Sequence, residues 1–271
     1  MKKTYIYIII ILTSLTSCGK KSFEFESKMN PERTYSLSMN MSSTNHVKYL
    51  SENEELKDKT SESKNSTQMT RITTTKGVDK RGQFNATIEY GKIVSIINGN
   101  KTENPISGTI VNGVYVDKNK FRVDSVISDQ LNEKTKQAIK YALENVKPTI
   151  DFPIEPIKIG DSFEHKMPMT IPVNGVNPVK IEIFKIYTLK SVNNNIAIFD
   201  LQQSIHLNKE VNQTNVIAKG DGNGIVEFDI LENQIINDKS NFTIKLNVIV
   251  NEELSVNTVV GSTSEITTTI E

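Results

Sequence analysis

The chain has no tryptophan, one cysteine and three histidines in 271 residues, and each scarcity closes off some chemistry. A lone cysteine cannot form an intrachain disulfide or the paired thiolates of a structural zinc site. His46, His165 and His206 are far apart in the chain, and none belongs to a His-Glu-x-x-His or other metal-ligand spacing, so no metal or cofactor is expected. Basic and acidic side chains balance at 32 each, which leaves no net positive field to draw nucleic acid. Nucleophiles fare no better. Gly261-Ser262-Thr263-Ser264 lacks the second glycine of a nucleophile elbow, and Ser125 and Ser162 follow aspartates but have no assigned base. In Gly220-Asp221-Gly222-Asn223-Gly224 a calcium loop would put Ile225 and Val226 where an oxygen ligand and the sharp-turn glycine belong. A phosphate loop there would need a helix to follow, whereas strand-like residues do. The cluster reads as a glycine-rich bend or bulge, and the chain reads as a protein that is not an enzyme.

The N-terminus is more informative. Met1-Lys2-Lys3 is basic and precedes an apolar run that includes Ile8-Ile9-Ile10-Ile11-Leu12, the order of a secretory signal. As a helix, Thr4 to Leu15 would reach only about 18 Å, against about 30 Å of bilayer hydrocarbon. The run ends in Leu15-Thr16-Ser17-Cys18-Gly19, which resembles the lipobox of bacterial lipoproteins. That resemblance implies a signal peptide at 1–17, cleavage between Ser17 and Cys18, and a diacylglycerol on the Cys18 thiol. It implies a membrane partner through lipidated Cys18 and an address in the cell envelope, at the outer membrane. Two or three acyl chains would hold a protein on a bilayer where one would not. Cleavage takes Lys2 and Lys3 away and leaves 30 basic against 32 acidic side chains, which gives no polybasic patch.

Beyond a tether at 18–33, residues 34–271 form a β-rich domain. Abundant Thr, Asn, Ile and Val favour strands. Tyr35, Leu37, Met39 and Met41 alternate with polar residues, as do Phe84, Ala86, Ile88 and Tyr90, and Phe242, Ile244, Leu246, Val248 and Val250. Ala197, Phe199, Leu201, Ile205 and Leu207 line another strand after the Asn193-Asn194-Asn195 turn. The apolar phase from Val179 to Ile183 switches at Phe184 and Ile186, which suggests a bulge or a strand buried on both faces. The polar stretch from Ser42 to Gln68 reads as a solvated loop or insertion, with a lid as the functional alternative. One central amphipathic helix is expected at 128–147, with Leu131, Thr135, Ala138, Ile139, Ala142, Leu143 and Val146 on one stripe, Ser128 or Asp129 as cap and Pro148 as stop.

The fold class is therefore mainly β and antiparallel, with long hairpins forming a curved sheet or half-barrel around one helix. Gly108 to Val123 and Gly222 to Ile236 both read glycine, strand, turn, strand, so an internal duplication into halves 34–127 and 148–271 stays open. The overall plan, with Ile159-Gly-Asp-Ser-Phe163 in it, is similar to β-rich lipoproteins of Gram-negative envelopes. More distantly it resembles half-barrel lipoprotein carriers, in which a sheet wraps helices to hold acyl chains. Three functions follow as expectations. The first is a non-catalytic holder of a lipid or other apolar ligand, with Tyr35, Leu37, Met39 and Met41 as its surface, because flexible methionines repack around varied groups. The second is a structural or assembly partner in an envelope protein complex, and the third a hydrolase with no visible site.

Overall fold

Strands that alternate oily and polar residues need a neighbour to take up their backbone hydrogen bonds. The computed structural model places those neighbours and describes residues 21–271 apart from 56, 118–119, 147–148, 174–175, 212–213 and 252. The expected signal peptide and Cys18 lie outside the described residues. In chain order the elements are β1 (Ser22–Phe23), β2 (Thr34–Ser51), β3 (Thr60–Thr75), β4 (Phe84–Ile97), β5 (Asn100–Glu103), β6 (Ile110–Asp117), β7 (Lys120–Ile127), α1 (Glu133–Glu144), β8 (Ile157–Lys158), β9 (Ser162–Val173), β10 (Val176–Asn193), β11 (Ile196–Val211), β12 (Thr214–Asp229), β13 (Gln234–Asn251) and β14 (Leu254–Ile270).

Twelve of these strands make one open, curved, antiparallel sheet in the order β7-β6-β4-β3-β2-β14-β13-β12-β11-β10-β9, with β5 beside β4. Strands β1 and β8 form a separate pair. An 18-residue strand such as β2 extends about 60 Å at roughly 3.3 Å per residue, so the sheet is tall. Its last strand pairs with its first long one, Ile270 opposite Tyr35, so residues 34–127 and 148–271 share one continuous ladder. The chain passes from the β7 edge to the β9 edge through α1 and the segment that follows it.

Residues directly opposite in an antiparallel pair share a face, and the register therefore sorts the sheet into an apolar and a polar side. On the apolar side Ala86, Ile88, Val111, Phe121 and Val123 are buried beneath Ile139 and Leu143 of α1. Toward the other edge Tyr187, Leu189, Phe199, Leu201, Val226 and Phe228 are buried with Phe25, Ile150 and Ile157. Phe25 lies 5.3 Å from Phe152 and 5.2 Å from Phe199, ring centre to ring centre. Burying one such ring contributes about 1.5–3 kcal/mol. A third cluster, Ile183, Ile205, Val216, Ala218, Phe242 and Val248, lies further along the same face.

Four sequence expectations change. The expected tether at 18–33 belongs to the fold from Ser22 onward, because β1 pairs with β8 and Phe25 is core. The helix is shorter than 128–147, and Asn132 caps it by accepting the Thr135 N–H at 2.9 Å, in place of Ser128 or Asp129. The stretch from Ser42 to Gln68 is no loop: it is the outer part of the β2–β3 hairpin, turning only at 52–59. Both of its faces meet water there, so polar residues occupy both phases while the backbone ladder continues. At Phe184 there is no bulge: Phe184 and Ile186 turn to the polar face, where Lys166 stands 5.1 Å over the Phe184 ring, and the register shifts later, between Leu189 and Ser191.

The glycine cluster holds no bulge against β11: it is paired there residue for residue as part of β12. Gly220, Gly222 and Gly224 all fall on the apolar side, in register with Ile205, Gln203 and Leu201. A Cβ at Gly220 would stand 2.7 Å from Ile205 Cγ2 and 2.7 Å from the Thr243 carbonyl oxygen. Glycine is needed here so that β13 can fold closely over β12.

Candidate functional site

The row expected to carry a ligand runs outward from a covered end. Tyr35 is 4% exposed and meets Asn30, its hydroxyl oxygen accepting the Asn30 N–H at 2.9 Å. Burial raises the phenol pKa above its ordinary value, opposed by that hydrogen bond. Leu37 and Met39 are half-buried, and Met41 is 45% exposed. Leu37 lies between Arg71 and Thr268, Met39 between Met69 and Ile266, and Met41 between Thr67 and Ser264. The apolar strip is therefore widest at Met39, where Ile93 continues it beyond Met69, and it narrows among hydroxyls at Met41. Leu37 and Met41 border different spaces.

Three spaces border this part of the sheet. A trough of about 1140 Å³ crosses β3, β2, β14, β13, β12 and β11, mostly on the polar side. Amides and hydroxyls such as Asn40, Gln68, Gln202 and Asn241 line it, Met41 reaches it, and Lys239 and Glu265 pair across it at 2.8 Å. A hollow of about 420 Å³ adjoins Leu37, Arg71, Ile72 and Tyr90 near Gly91, where β4 shifts register against β3. A pocket of about 220 Å³ sits at the covered end, beneath Leu143 and Val146 and above Thr73, Ile88, Tyr115 and Phe121, with Arg71 at its border.

Arg71 is the residue that sequence reasoning missed. It lies in the apolar phase of β3 between Leu37 and Tyr90, and its Nε is buried with no hydrogen-bond partner. Burial holds the Tyr115 phenol up to about 12, with the Arg71 charge pulling the other way, so the ring stays a neutral donor at physiological pH. The alternation Met69, Arg71, Thr73 was the available signal, but it abuts the polar stretch that reads as loop.

The histidines do not converge. His46 faces Glu62 across the β2–β3 ladder, Nδ1 to carboxylate 3.4 Å. His165 lies opposite Lys185 on the apolar side, and His206 opposite Lys219 on the polar side, on the same face as Asp200, Gln202 and Ser204. Among the described residues no three His, Cys, Asp or Glu side chains gather as metal ligands.

No protein-family model and no curated protein matches the sequence. Solved structures overlap it only partly. A lipovitellin structure described for its lipid–protein interactions covers 90% of this chain at 11% identity and TM-score 0.42, and the chain spans 26% of that one. A mutant porin of Rh. blastica covers 86% of this chain and 100% of its own at 11% identity and TM-score 0.21. OpdQ of Pseudomonas aeruginosa covers 86% of this chain and 99% of its own at 7% identity and TM-score 0.22. None of these overlaps transfers a function.

Proposed function

We propose that the protein is a lipoprotein of the bacterial cell envelope, held on the outer membrane through lipidated Cys18, and that it holds a lipid or other apolar ligand on its open sheet without catalysis. The observation that carries this reading is the uneven cover of the apolar face. Residues 23–30, α1 and 149–157 pack over one end, while Leu37, Met39, Met69 and Ile266 beyond it belong to none of the packed clusters among the described residues. Half-exposed apolar side chains in a continuous row lose water when an acyl chain lies on them, at about 25 cal/mol per Å². The two methionines adapt to its shape.

Titration of the chain beginning at Lys21 with a fluorescent fatty acid tests the reading, since every described core cluster draws only on residues from Phe23 onward. Saturable binding that is lost in a folded Met39→Asp variant supports it. No binding across several lipid classes contradicts it. The anchor is tested separately: Cys18→Ala should abolish incorporation of labelled fatty acid in cells.

A second reading, assembly with an envelope protein partner, is favoured by the edges. Among the described residues β7 and β9 each pair on one side only, and an unpaired edge accepts a strand from a partner.

A further inference from the structure

An arginine on the oily side of a sheet is costly unless an anion meets it. Arg71 is directly opposite Leu37 on β2 and Tyr90 on β4, in the row that runs from the covered end of the sheet toward Met41. Its Nε finds no acceptor, and among the described residues no carboxylate forms an ion pair with it.

The pocket that Arg71 borders has the complementary character. Among its described lining residues Arg71 and Lys28 are cationic and none is acidic. Lys28 is already spent on Glu26, Nζ to carboxylate 2.7 Å, which leaves Arg71 as the uncommitted charge among the described lining residues. Tyr115 and Thr73 add hydroxyls, and Phe121, Ile88 and Leu143 make the remaining walls apolar. A low-dielectric wall strengthens a charge pair, and a guanidinium fork matches carboxylate and phosphate oxygens.

We infer that this pocket, with Arg71 as counter-charge, receives a carboxylate or phosphate group of the bound molecule. This deepens the ligand-holding reading and rests on it. A volume of about 220 Å³ equals roughly seven waters at about 30 Å³ each, enough for a headgroup and too small for a long chain. An attached acyl chain then leaves past Leu37 and along the Met39–Met69 pair toward Ile266. From Leu37 to Met41 that path is about 13 Å long.

Dodecanoate, dodecyl phosphate, dodecanol and inorganic phosphate, each titrated calorimetrically into the chain beginning at Lys21, test the inference. The two amphiphilic anions should bind at least tenfold tighter than dodecanol. In Arg71→Met that preference should vanish while dodecanol affinity stays within about twofold; Arg71→Lys should keep part of it. Inorganic phosphate binding as tightly as dodecyl phosphate would assign the site to a free anion, and much weaker binding assigns it to a lipid headgroup. Equal affinity of the parent for dodecanoate and dodecanol overturns the headgroup site and leaves the ligand-holding reading standing, with no variant needed. An anion preference that survives Arg71→Met in folded protein also overturns it. No binding by any of the four overturns both.

Discussion

Thr34 and Glu271 exchange both backbone hydrogen bonds, Thr34 N–H donating to the Glu271 carbonyl at 2.8 Å and Glu271 N–H to the Thr34 carbonyl at 3.0 Å. Two residues far apart in the chain thus seal the join at the centre of the sheet, and β14 becomes an interior strand paired on both sides. Proline in its middle removes a ladder donor and strands a carbonyl, at a cost of about 1–3 kcal/mol. Ser264→Pro should therefore lower the urea midpoint clearly. Asp124→Pro, on the edge strand β7 at a register shift, should lower it much less. Equal losses would mean that β14 is not interior.

Phe25 tests whether the N-terminal segment is part of the fold. It contacts Phe152, Phe199 and Phe228, with ring centres 5.3, 5.2 and 6.0 Å away. Phe25→Ala should cost about 3–5 kcal/mol in urea unfolding, as for other buried aromatics. A free tether would lose nothing.

The glycine stretch of β12 makes a sharper comparison. A Cβ at Gly224 would lie 2.5 Å from the Lys239 carbonyl oxygen and 2.8 Å from Ser240 Cβ, whereas one at Gly261 meets nothing within 4 Å. Because the obstacle at Gly224 includes backbone, Gly224→Ala should cost about 1–3 kcal/mol. Gly261→Ala should be neutral or stabilise by up to about 1 kcal/mol.

Asp238 is buried on the apolar face, and its Oδ1 has no hydrogen-bond partner. Burial raises its carboxyl pKa above the ordinary 3.8, with Lys185 opposing. Burial in turn lowers Lys185. A folded-state pKa above the unfolded one gives stability that is present below the unfolded value and lost as pH rises through the folded value. Asp238→Asn cannot ionise, so it should melt level with the parent at pH 3 and higher than the parent at pH 8. The reverse order would show that the Lys185 attraction outweighs burial.

The sequence made legible what depends on one-sided burial. Phe84, Ala86 and Ile88 alternate because one face of β4 meets a core, and Ile139 and Leu143 recur at helical spacing because α1 rests on that core. It hid what depends on hydrogen bonding alone. The outer part of β2–β3 carries serine and asparagine on both faces and is held by its ladder, with Tyr49 N–H donating to the Lys59 carbonyl at 2.9 Å. The Tyr35–Ile270 pairing was hidden because no local pattern couples residues so far apart in the chain. Of the site, Leu37, Met39 and Met41 were legible as an oily row, while Arg71 drew no notice, since a cation in a strand reads as a solvated face until its neighbours are known.

The central claim is that the open apolar face holds an amphipathic molecule in the cell. Mass spectrometry of the organic extract from protein purified from its native envelope tests it most directly, with acyl chains released from Cys18 counted separately. The account predicts a non-covalent amphiphile with a carboxylate or phosphate group, near one per chain in the parent and much reduced in a folded Arg71→Met, Met39→Asp double variant. An extract free of such molecules, from folded protein that co-purifies with a stoichiometric protein partner, would contradict it.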